Sequence, residues 1–219
     1  MKTVKHYFLL LSIGLLVMAD GANHELHAQA KATTQDTQLD KQVKEFLNER
    51  KGTWRDMNVP ESDGQLLYDL IVKNGYKKAV EIGTSTGHSG IWIAWALSKT
   101  GGKLITIDID KDRQKEAVEN FKKAGLSEYI DVRLGDAHEL VPELKGQFDF
   151  VFSDADKSWY INYFKDMDPK LVVGGCYVTH NVGRNNNYDF YEYVSKLPNY
   201  RTTLDSKGAG VAISYKTGQ

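Results

Sequence analysis

The stretch that decides the fold is Val80-Glu81-Ile82-Gly83-Thr84-Ser85-Thr86-Gly87-His88-Ser89-Gly90. A short apolar segment, Lys78–Gly83, runs into this glycine-rich turn, and a helix-like apolar segment, Ser89–Ser98, follows it. Glycines let a backbone approach a ligand closely, and the free N–H groups at a helix start can bind one. The pattern predicts a strand, a turn and a helix, with a ligand at the turn.

The alternation of strand-like and helix-like segments continues along the chain. Further strands are predicted at Lys103–Asp108, Tyr129–Leu134, Phe148–Asp154, Cys176–His180, Tyr200–Leu204 and Val211–Tyr215. Segments such as Leu104–Ile107 are apolar on both faces, which is typical of a parallel sheet buried between helices. The sequence predicts an α/β fold with a doubly wound, Rossmann-like, mostly parallel sheet. The last two strands should pair as a hairpin and make one edge antiparallel.

The N-terminal part of the chain differs from the rest. Residues 1–30 have a basic start, an apolar run over Phe8–Val17 and a small-x-small site at Ala28-Gln29-Ala30, the layout of a secretory signal peptide. An uncleaved anchor is the alternative interpretation. Residues 31–38 form a polar linker, and residues 39–219 suit one domain. We therefore expect export to the periplasm, with no stable membrane insertion after processing.

Charge and cysteine content exclude several classes of protein. The chain has 28 Lys and Arg against 29 Asp and Glu, a net charge of −1, so the basic excess typical of nucleic-acid binding is absent. The single cysteine, Cys176, rules out a disulfide framework and a thiolate metal cage. We expect Cys176 to be a small core residue on a strand.

Polar side chains stand at the carboxyl ends of five successive predicted strands. They are Glu81, Asp108, Asp136, the pair Asp154 and Asp156, and the pair His180 and Asn181. Ligands of open α/β sheets bind outside the carboxyl ends of the strands. One acidic strand end is usually a turn residue or a helix cap, but five together favour a functional site.

The residues of the glycine-rich turn narrow the class of ligand that can bind there. The turn lacks the dinucleotide fingerprint, because Ser85 stands where the second glycine is needed, and it lacks the lysine of a phosphate-binding loop. Glu81 would oppose a phosphate but favour a cation, and Asp108 can accept hydrogen bonds from both hydroxyls of a ribose. These features favour S-adenosylmethionine over a nicotinamide dinucleotide, and therefore disfavour a dehydrogenase.

From Met57 to the C-terminus the chain resembles the catechol and caffeoyl-CoA O-methyltransferase family. The motifs that carry the resemblance are MetAsnVal with GlyGlnLeu (57–59, 64–66), ValGluIleGlyThrSerThrGlyHisSer (80–89), ThrIleAspIleAsp (106–110), LysAlaGlyLeu (123–126), LeuGlyAspAla (134–137), AspAlaAspLys (154–157) and the region of Asn181. They occur in the order and at the spacing of the family.

The resemblance implies a methyl donor, a metal ion and a catechol-like small-molecule substrate. Residues implied to bind S-adenosylmethionine are Met57, Val59, Glu81, Gly83, Ser85, Gly87, Ser89, Asp108, Ile109, Asp136, Ala137 and Asp154. Asp154 and Asn181 would bind a divalent cation, and Lys157 would be the general base, unless it is a surface lysine that neutralises nearby aspartates. Glu192 would contact the second substrate hydroxyl, or is an ordinary helix-surface glutamate. A homodimer is implied as well.

His180 departs from the family, which usually has an aspartate at this position and so an all-oxygen site for Mg²⁺. Imidazole suits Mn²⁺, Zn²⁺, Fe²⁺ or Co²⁺ better. Three interpretations stay open: His180 binds such a metal, it turns away from a weaker Mg²⁺ site, or metal dependence and catalysis are lost. The last would leave a protein that binds the donor without turnover. Because the donor is made in the cytosol, a cytoplasmic location is the alternative to export.

Overall fold

The computed structural model describes residues 38–54, 57–183 and 186–219. The chain divides into two compact units, Met1–Gln42 and Val43–Gln219, and the second contains the whole sheet. The predicted signal peptide (1–30) and nearly all of the predicted linker (31–38) lie outside the described residues. Within the described part, no helix has both the length and the apolar character needed to cross a membrane.

Helices and strands alternate from the second helix onward, as the apolar pattern predicts. The helices are α1 (38–49), α2 (Glu61–Asn74), α3 (His88–Thr100), α4 (Lys111–Lys123), α5 (Ala137–Glu143), α6 (Tyr160–Met167) and α7 (Tyr188–Ser195). The strands are β1 (Lys78–Ile82), β2 (Lys103–Asp108), β3 (Ile130–Leu134), β4 (Phe148–Ser153), β5 (Leu171–His180), β6 (Tyr200–Asp205) and β7 (Val211–Lys216). A 3₁₀ turn, Lys157–Trp159, precedes α6.

The seven strands form one sheet in the order β3-β2-β1-β4-β5-β7-β6. Strands β1 to β5 are parallel, and the winding reverses beside β1, where β2 and β4 flank it. The last two strands pair as the predicted hairpin, and β7 lies antiparallel to both β5 and β6. The predicted mostly parallel sheet with an antiparallel edge is confirmed.

Both faces of the sheet are covered by apolar clusters, which explains why the central strands lack polar alternation. On β4, Val151 belongs to the cluster that contains residues of α5, α6 and α7. Its neighbours Phe150 and Phe152 belong to the opposite cluster, with residues of α2 and α3. Cys176 on β5 is fully buried in that second cluster, as predicted for a small core residue.

Two aspartates near the strand ends cap the helices that follow, and one of them, Asp136, is among the polar strand-end residues. Asp136 caps α5 by accepting a hydrogen bond from His138 N at 2.9 Å, and Asp110 caps α4 through Asp112 N and Arg113 N. Helix α2 begins at Glu61, directly after Pro60. Asp63 therefore lies inside the first turn of α2, with its side chain buried.

Candidate active site

A cavity of about 380 Å³ opens at the carboxyl ends of the central strands. Eight of the residues predicted to bind the donor line it: Met57, Gly83, Ser85, Asp108, Ile109, Asp136, Ala137 and Asp154. They come from the loop before α2 and from the ends of β1, β2, β3 and β4. The sheet therefore gathers at one place residues that are almost 100 positions apart in the sequence.

Glu81 lies beneath the glycine-rich turn and is fully buried. Thr106 on β2 donates a 2.6 Å hydrogen bond to its Oε2, while Oε1 has no hydrogen-bond partner within the described residues. Burial raises the pKa of Glu81 to about 8, against the opposing effect of the Ser89 and Thr106 hydroxyls. A buried carboxylate oxygen without a partner is costly unless a ligand supplies a donor or a positive charge.

The turn needs glycine at Gly83 for two reasons. Its φ is +102°, which side-chain-bearing residues rarely adopt, and a Cβ there would come within 2.6 Å of the Asp154 carbonyl oxygen. Gly83 thus lets the end of β1 pass closely over the end of β4. Gly87, the N-cap of α3, is similarly crowded by the ring of Phe121.

Asp108 is fixed by backbone groups on both sides. Ser85 N donates to Oδ2 at 2.7 Å and Asp110 N donates to Oδ1 at 2.8 Å. Each carboxylate oxygen has further acceptor capacity. The side chain is therefore held at the cavity wall in a position where it can accept two more hydrogen bonds from a ligand such as a ribose.

His138 is a cavity residue that the sequence pattern did not single out. Its ring stacks on Tyr163 at 5.6 Å between centroids, and its Nδ1 lies 3.2 Å from Asp136 Oδ1. The ring of Trp159 lies 4.7 Å from the same ring, and Trp159 is 39% exposed. The sequence signal that could have found His138 is its position, because it directly follows Asp136 and Ala137, which are predicted to bind S-adenosylmethionine. These rings give this end of the cavity flat apolar surfaces that suit a planar base.

The other residues that are predicted to bind S-adenosylmethionine do not line the cavity. The Ser89 hydroxyl interacts with Glu81, whereas Val59 is buried in the core around α2 and α3. His88 accepts a hydrogen bond from Trp92 at Nε2 and contacts the Val59 carbonyl at 2.8 Å through Nδ1, so it fixes the shape of the turn. Trp54 stacks on His88 at 4.5 Å. These residues pack around the glycine-rich turn and stabilise it.

A second group of charged side chains adjoins the cavity at Asp154. Nδ1 of His180 lies 3.0 Å from Asp154 Oδ2, and Nε2 lies 2.9 Å from Oδ2 of Asp63. All three side chains are at most 11% exposed. Burial favours neutral imidazole, but the two carboxylates outweigh it and hold the pKa of His180 above its usual value. The sequence did not connect Asp63 with this group, because nothing in its local pattern distinguishes it from a helix-start residue.

Lys157 and Tyr160 complete the surroundings of Asp154. Lys157 Nζ lies 3.3 Å from Asp154 Oδ1 and its side chain is 41% exposed, so the amine reaches both the carboxylate and solvent. The buried Tyr160 hydroxyl donates to the His180 carbonyl oxygen at 3.0 Å and lies 3.4 Å from Asp154 Oδ1. Tyr160 thus ties the end of β5 to the end of β4, a role that its apolar helix pattern does not reveal.

The donor atoms near Asp154 fit a divalent cation. His180 Nδ1 is buried and makes no hydrogen bond within the described residues, although Asp154 Oδ2 is only 3.0 Å away. Two ligand atoms bonded at about 2.1 Å to one cation, at right angles to each other, stand about 3.0 Å apart. Asn181, in a left-handed conformation (φ +54°), follows His180 directly. No group of three or more His, Cys, Asp or Glu in the described ranges could hold a metal. A cation at this place would have to be bound by two such side chains, Asp154 and His180, together with the Asn181 amide.

Glu192 lies apart from these contacts. It is on α7 with a 56% exposed side chain, and Lys196 Nζ lies 3.8 Å from its carboxylate. This environment fits the helix-surface interpretation, and its assignment to the substrate stays a prediction. The predicted roles of Lys157, His180 and Asn181 likewise stay predictions, although the structure brings Lys157 and His180 to one carboxylate.

The fold and the cavity agree with what is found among known proteins. A protein-family model described as O-methyltransferase matches residues 30–186. The chain belongs to the O-methyltransferase family. Its curated relatives in this family include the caffeoyl-CoA O-methyltransferase 1 of Eucalyptus globulus, 35% identical over 130 residues, covering 57% of this chain and 52% of the relative. The catechol O-methyltransferase of Niastella koreensis is 37% identical over 113 residues, 50% of this chain and 51% of that protein. The chain spans about half the length of these curated relatives.

Solved O-methyltransferase structures share the fold over most of the chain. The enzyme from Bacillus cereus in complex with SAH superposes with a TM-score of 0.69 at 26% identity, covering 81% of this chain and 91% of that one. TomG from Streptomyces achromogenes in complex with SAM has a TM-score of 0.66 at 26% identity, covering 82% and 89%. The resemblance read from the sequence motifs is thus confirmed at the level of family and fold.

Proposed function

We propose that this protein transfers the methyl group of S-adenosylmethionine to one hydroxyl of a catechol-like small molecule. The observation that carries the proposal is that Asp154 belongs to two sites at once. It lines the cavity that fits the donor, and its carboxylate lies beside both His180 and Lys157. A methyl group and an activated oxygen can therefore meet at this residue.

The donor fits the cavity by charge and shape. Glu81 offers an unpartnered carboxylate oxygen to a cationic amino acid group, and the absence of a lysine in the turn suits a ligand without phosphate. Asp108 can accept hydrogen bonds from the two ribose hydroxyls, and the end of the cavity at His138 suits the adenine ring. The SAM and SAH complexes of family members support this assignment.

Methyl transfer needs an ionised oxygen in line with the donor's carbon–sulfur bond. Lys157 would accept the proton of the substrate hydroxyl on Nζ and then be held by the Asp154 carboxylate, 3.3 Å away. The oxygen attacks the methyl carbon, the carbon–sulfur bond breaks, and its electron pair remains on sulfur. Holding both substrates in one cavity should supply much of the acceleration.

Asp154, His180 and Asn181 are the residues that would hold a divalent cation. Such a cation lowers the cost of ionising a hydroxyl and orients two adjacent oxygens. This is the reason to favour a catechol, which has two neighbouring hydroxyls, over a simple phenol. An imidazole ligand favours Mn²⁺, Zn²⁺, Fe²⁺ or Co²⁺ over the family's Mg²⁺.

The test is methyl transfer from S-adenosylmethionine to catechol before and after chelation, with single metals added back. We expect chelation to abolish product formation and a transition metal to restore it better than Mg²⁺. Undiminished activity after exhaustive chelation would remove the cation from the proposal, while leaving the methyl transfer itself in place. Phenol, as a one-hydroxyl control, should be a much poorer acceptor than catechol.

Export and a homodimer are further parts of the proposal. The layout of residues 1–30 supports export. The homodimer is carried over from the family resemblance alone. Fractionation of the producing cell, with mass spectrometry of the N-terminus, should find a chain cleaved after Ala30 outside the cytoplasm. An intact N-terminus in the cytoplasm would favour the alternative location, where the donor is made.

A further inference from the structure

Asp63 and His180 form a buried pair that links the start of α2 to the end of β5. Nε2 of His180 lies 2.9 Å from Oδ2 of Asp63, and each side chain is 4% exposed. The two residues are 117 positions apart in the sequence. A buried carboxylate and imidazole at this distance are held by a strong hydrogen bond, so each restricts the orientation of the other.

The surrounding chain fixes the Asp63 carboxylate in place. Ser62 donates its hydroxyl to Oδ1 at 3.1 Å, and Ala209 N, in the loop between β6 and β7, donates to Oδ2 at 3.0 Å. Gly208 lies so close that a Cβ there would overlap the carboxylate. The carboxylate is therefore clamped between α2 and the hairpin loop and aimed at His180.

This contact decides which ring nitrogen of His180 carries the proton. Neutral imidazole has one N–H and one lone pair, and a carboxylate can only accept. Both ring nitrogens face a carboxylate, but only the contact of Nε2 with Asp63 has hydrogen-bond geometry, so in neutral imidazole Nε2 donates to Asp63 and Nδ1 keeps its lone pair. That nitrogen is buried, makes no hydrogen bond among the described residues, and faces Asp154 Oδ2 at 3.0 Å. Two electron-rich atoms so close together require a positive species between them, which is the second ring proton when the imidazole is charged and a cation when one is bound.

We propose that Asp63 is a positioning residue for a metal ligand: it holds His180 as the Nε2-protonated tautomer and so presents Nδ1, beside Asp154, to the divalent cation. The inference rests on the proposed function, in which Asp154, His180 and Asn181 hold that cation. Metal-binding histidines commonly donate their second ring N–H to a carboxylate in this way. Here the carboxylate comes from the first turn of α2, outside the strand-end residues that form the site.

The first test measures the binding of Mn²⁺ to the full chain by electron paramagnetic resonance of the free ion. Loss of such an outer carboxylate typically weakens metal binding roughly 10–100-fold, and we expect a loss of this order for Asp63→Asn. The matched control is Asp69→Asn, an exposed aspartate on the same helix, which should bind Mn²⁺ like the wild type. Thermal unfolding and S-adenosylmethionine binding of both variants check that the fold persists.

A double variant separates positioning from a general effect on the site. In a His180→Asp background there is no imidazole to orient, and Asp63 would only add a second negative charge nearby. Asp63→Asn should then leave Mn²⁺ binding unchanged or strengthen it. An equal weakening in both backgrounds would overturn the positioning role.

The tautomer provides a readout that does not depend on metal. Long-range ¹H–¹⁵N spectra of the metal-free protein, at a pH where His180 is neutral, should show a protonated Nε2 and an unprotonated Nδ1. In Asp63→Ala this preference should be lost. If the wild type shows a protonated Nδ1, the inference is wrong. If the wild type binds no metal, the cation fails as part of the proposed function and the inference fails with it. If it binds metal and Asp63→Asn binds equally well, only the inference fails.

Discussion

Thr106 donates a 2.6 Å hydrogen bond to Glu81 directly across the β1–β2 pair, and the other oxygen of that carboxylate is unpartnered within the described residues. Burial raises the pKa of Glu81 to about 8. In the absence of S-adenosylmethionine, Glu81 therefore holds a proton at neutral pH. S-adenosylmethionine is cationic and favours the ionised form of Glu81, so its binding should release that proton.

Donor affinity should consequently rise with pH between 6 and 7.5. Each pH unit below the pKa of Glu81 can weaken S-adenosylmethionine binding by up to about tenfold, because the proton must first leave. Titration calorimetry in buffers of different ionisation enthalpy measures both the affinity and the released proton. Glu81→Gln should bind weakly with no such slope, whereas Glu119→Gln, an exposed control on α4, should behave like the wild type. A flat wild-type profile without proton release would contradict this role of Glu81.

The same raised pKa predicts how stability changes with pH. The unfolded state loses the Glu81 proton near pH 4.5 and the folded state only near 8, so the folded state binds more protons in between. Stability from this group therefore falls as pH rises through that window, by up to roughly 5 kcal/mol. Urea unfolding at pH 5.5 and 8.5 should show a smaller fall for Glu81→Gln than for the wild type. Equal falls would mean that Glu81 is ionised in the folded protein throughout.

Gly83→Ala tests the close approach of β1 to β4. The substitution adds both backbone strain at φ +102° and an overlap with the Asp154 carbonyl oxygen. Gly146→Ala is the matched control, because Gly146 has a similar φ of +95° but open space where a Cβ would stand. Gly146→Ala should cost about 1 kcal/mol of unfolding free energy and keep donor affinity. Gly83→Ala should lower the unfolding free energy by about 2 kcal/mol more than Gly146→Ala does, and it should also weaken the binding of S-adenosylmethionine. Equal losses of unfolding free energy in the two variants would show that the contact with the Asp154 carbonyl oxygen is unimportant.

Lys157→Ala tests the proton acceptor. Loss of a general base typically lowers turnover by about 10²-fold or more, while donor affinity should change little because Glu81 and Asp108 are untouched. Steady-state rates with catechol and direct S-adenosylmethionine binding give the two quantities separately. Lys145→Ala removes an exposed lysine elsewhere and should leave both unchanged. Normal turnover in Lys157→Ala would reduce Lys157 to a surface partner of Asp154.

The residues at the strand ends could be predicted from sequence because one physical rule places them. Apolar periodicity marks the strands, and parallel strands with helical crossovers bring their carboxyl ends to one edge. Glu81, Asp108 and Asp154 follow from that rule: Asp108 and Asp154 line one cavity, and Glu81 lies buried beneath the glycine-rich turn. The order of the hairpin strands did not follow, because the apolar pattern does not say whether β6 or β7 lies against β5.

Asp63 could not be predicted for a different reason. Its contact with His180 depends on how α2 packs against the sheet and on the path of the loop at Gly208. Neither leaves a local signal, and an aspartate in the first turn of a helix is ordinary. His180 was visible only as a departure from the family, and its partners became clear only when the fold placed two carboxylates around its ring.

The most direct test of the central claim is transfer of a trideuterated methyl group from S-adenosylmethionine to catechol by the purified chain supplied with Mn²⁺. We expect mass spectrometry to find the label on one oxygen of catechol and an equal amount of demethylated donor, both reduced about 10²-fold or more in Lys157→Ala. Donor binding by calorimetry without any labelled product, across Mn²⁺, Zn²⁺, Co²⁺, Fe²⁺ and Mg²⁺, would contradict the claim and leave a protein that only binds the donor.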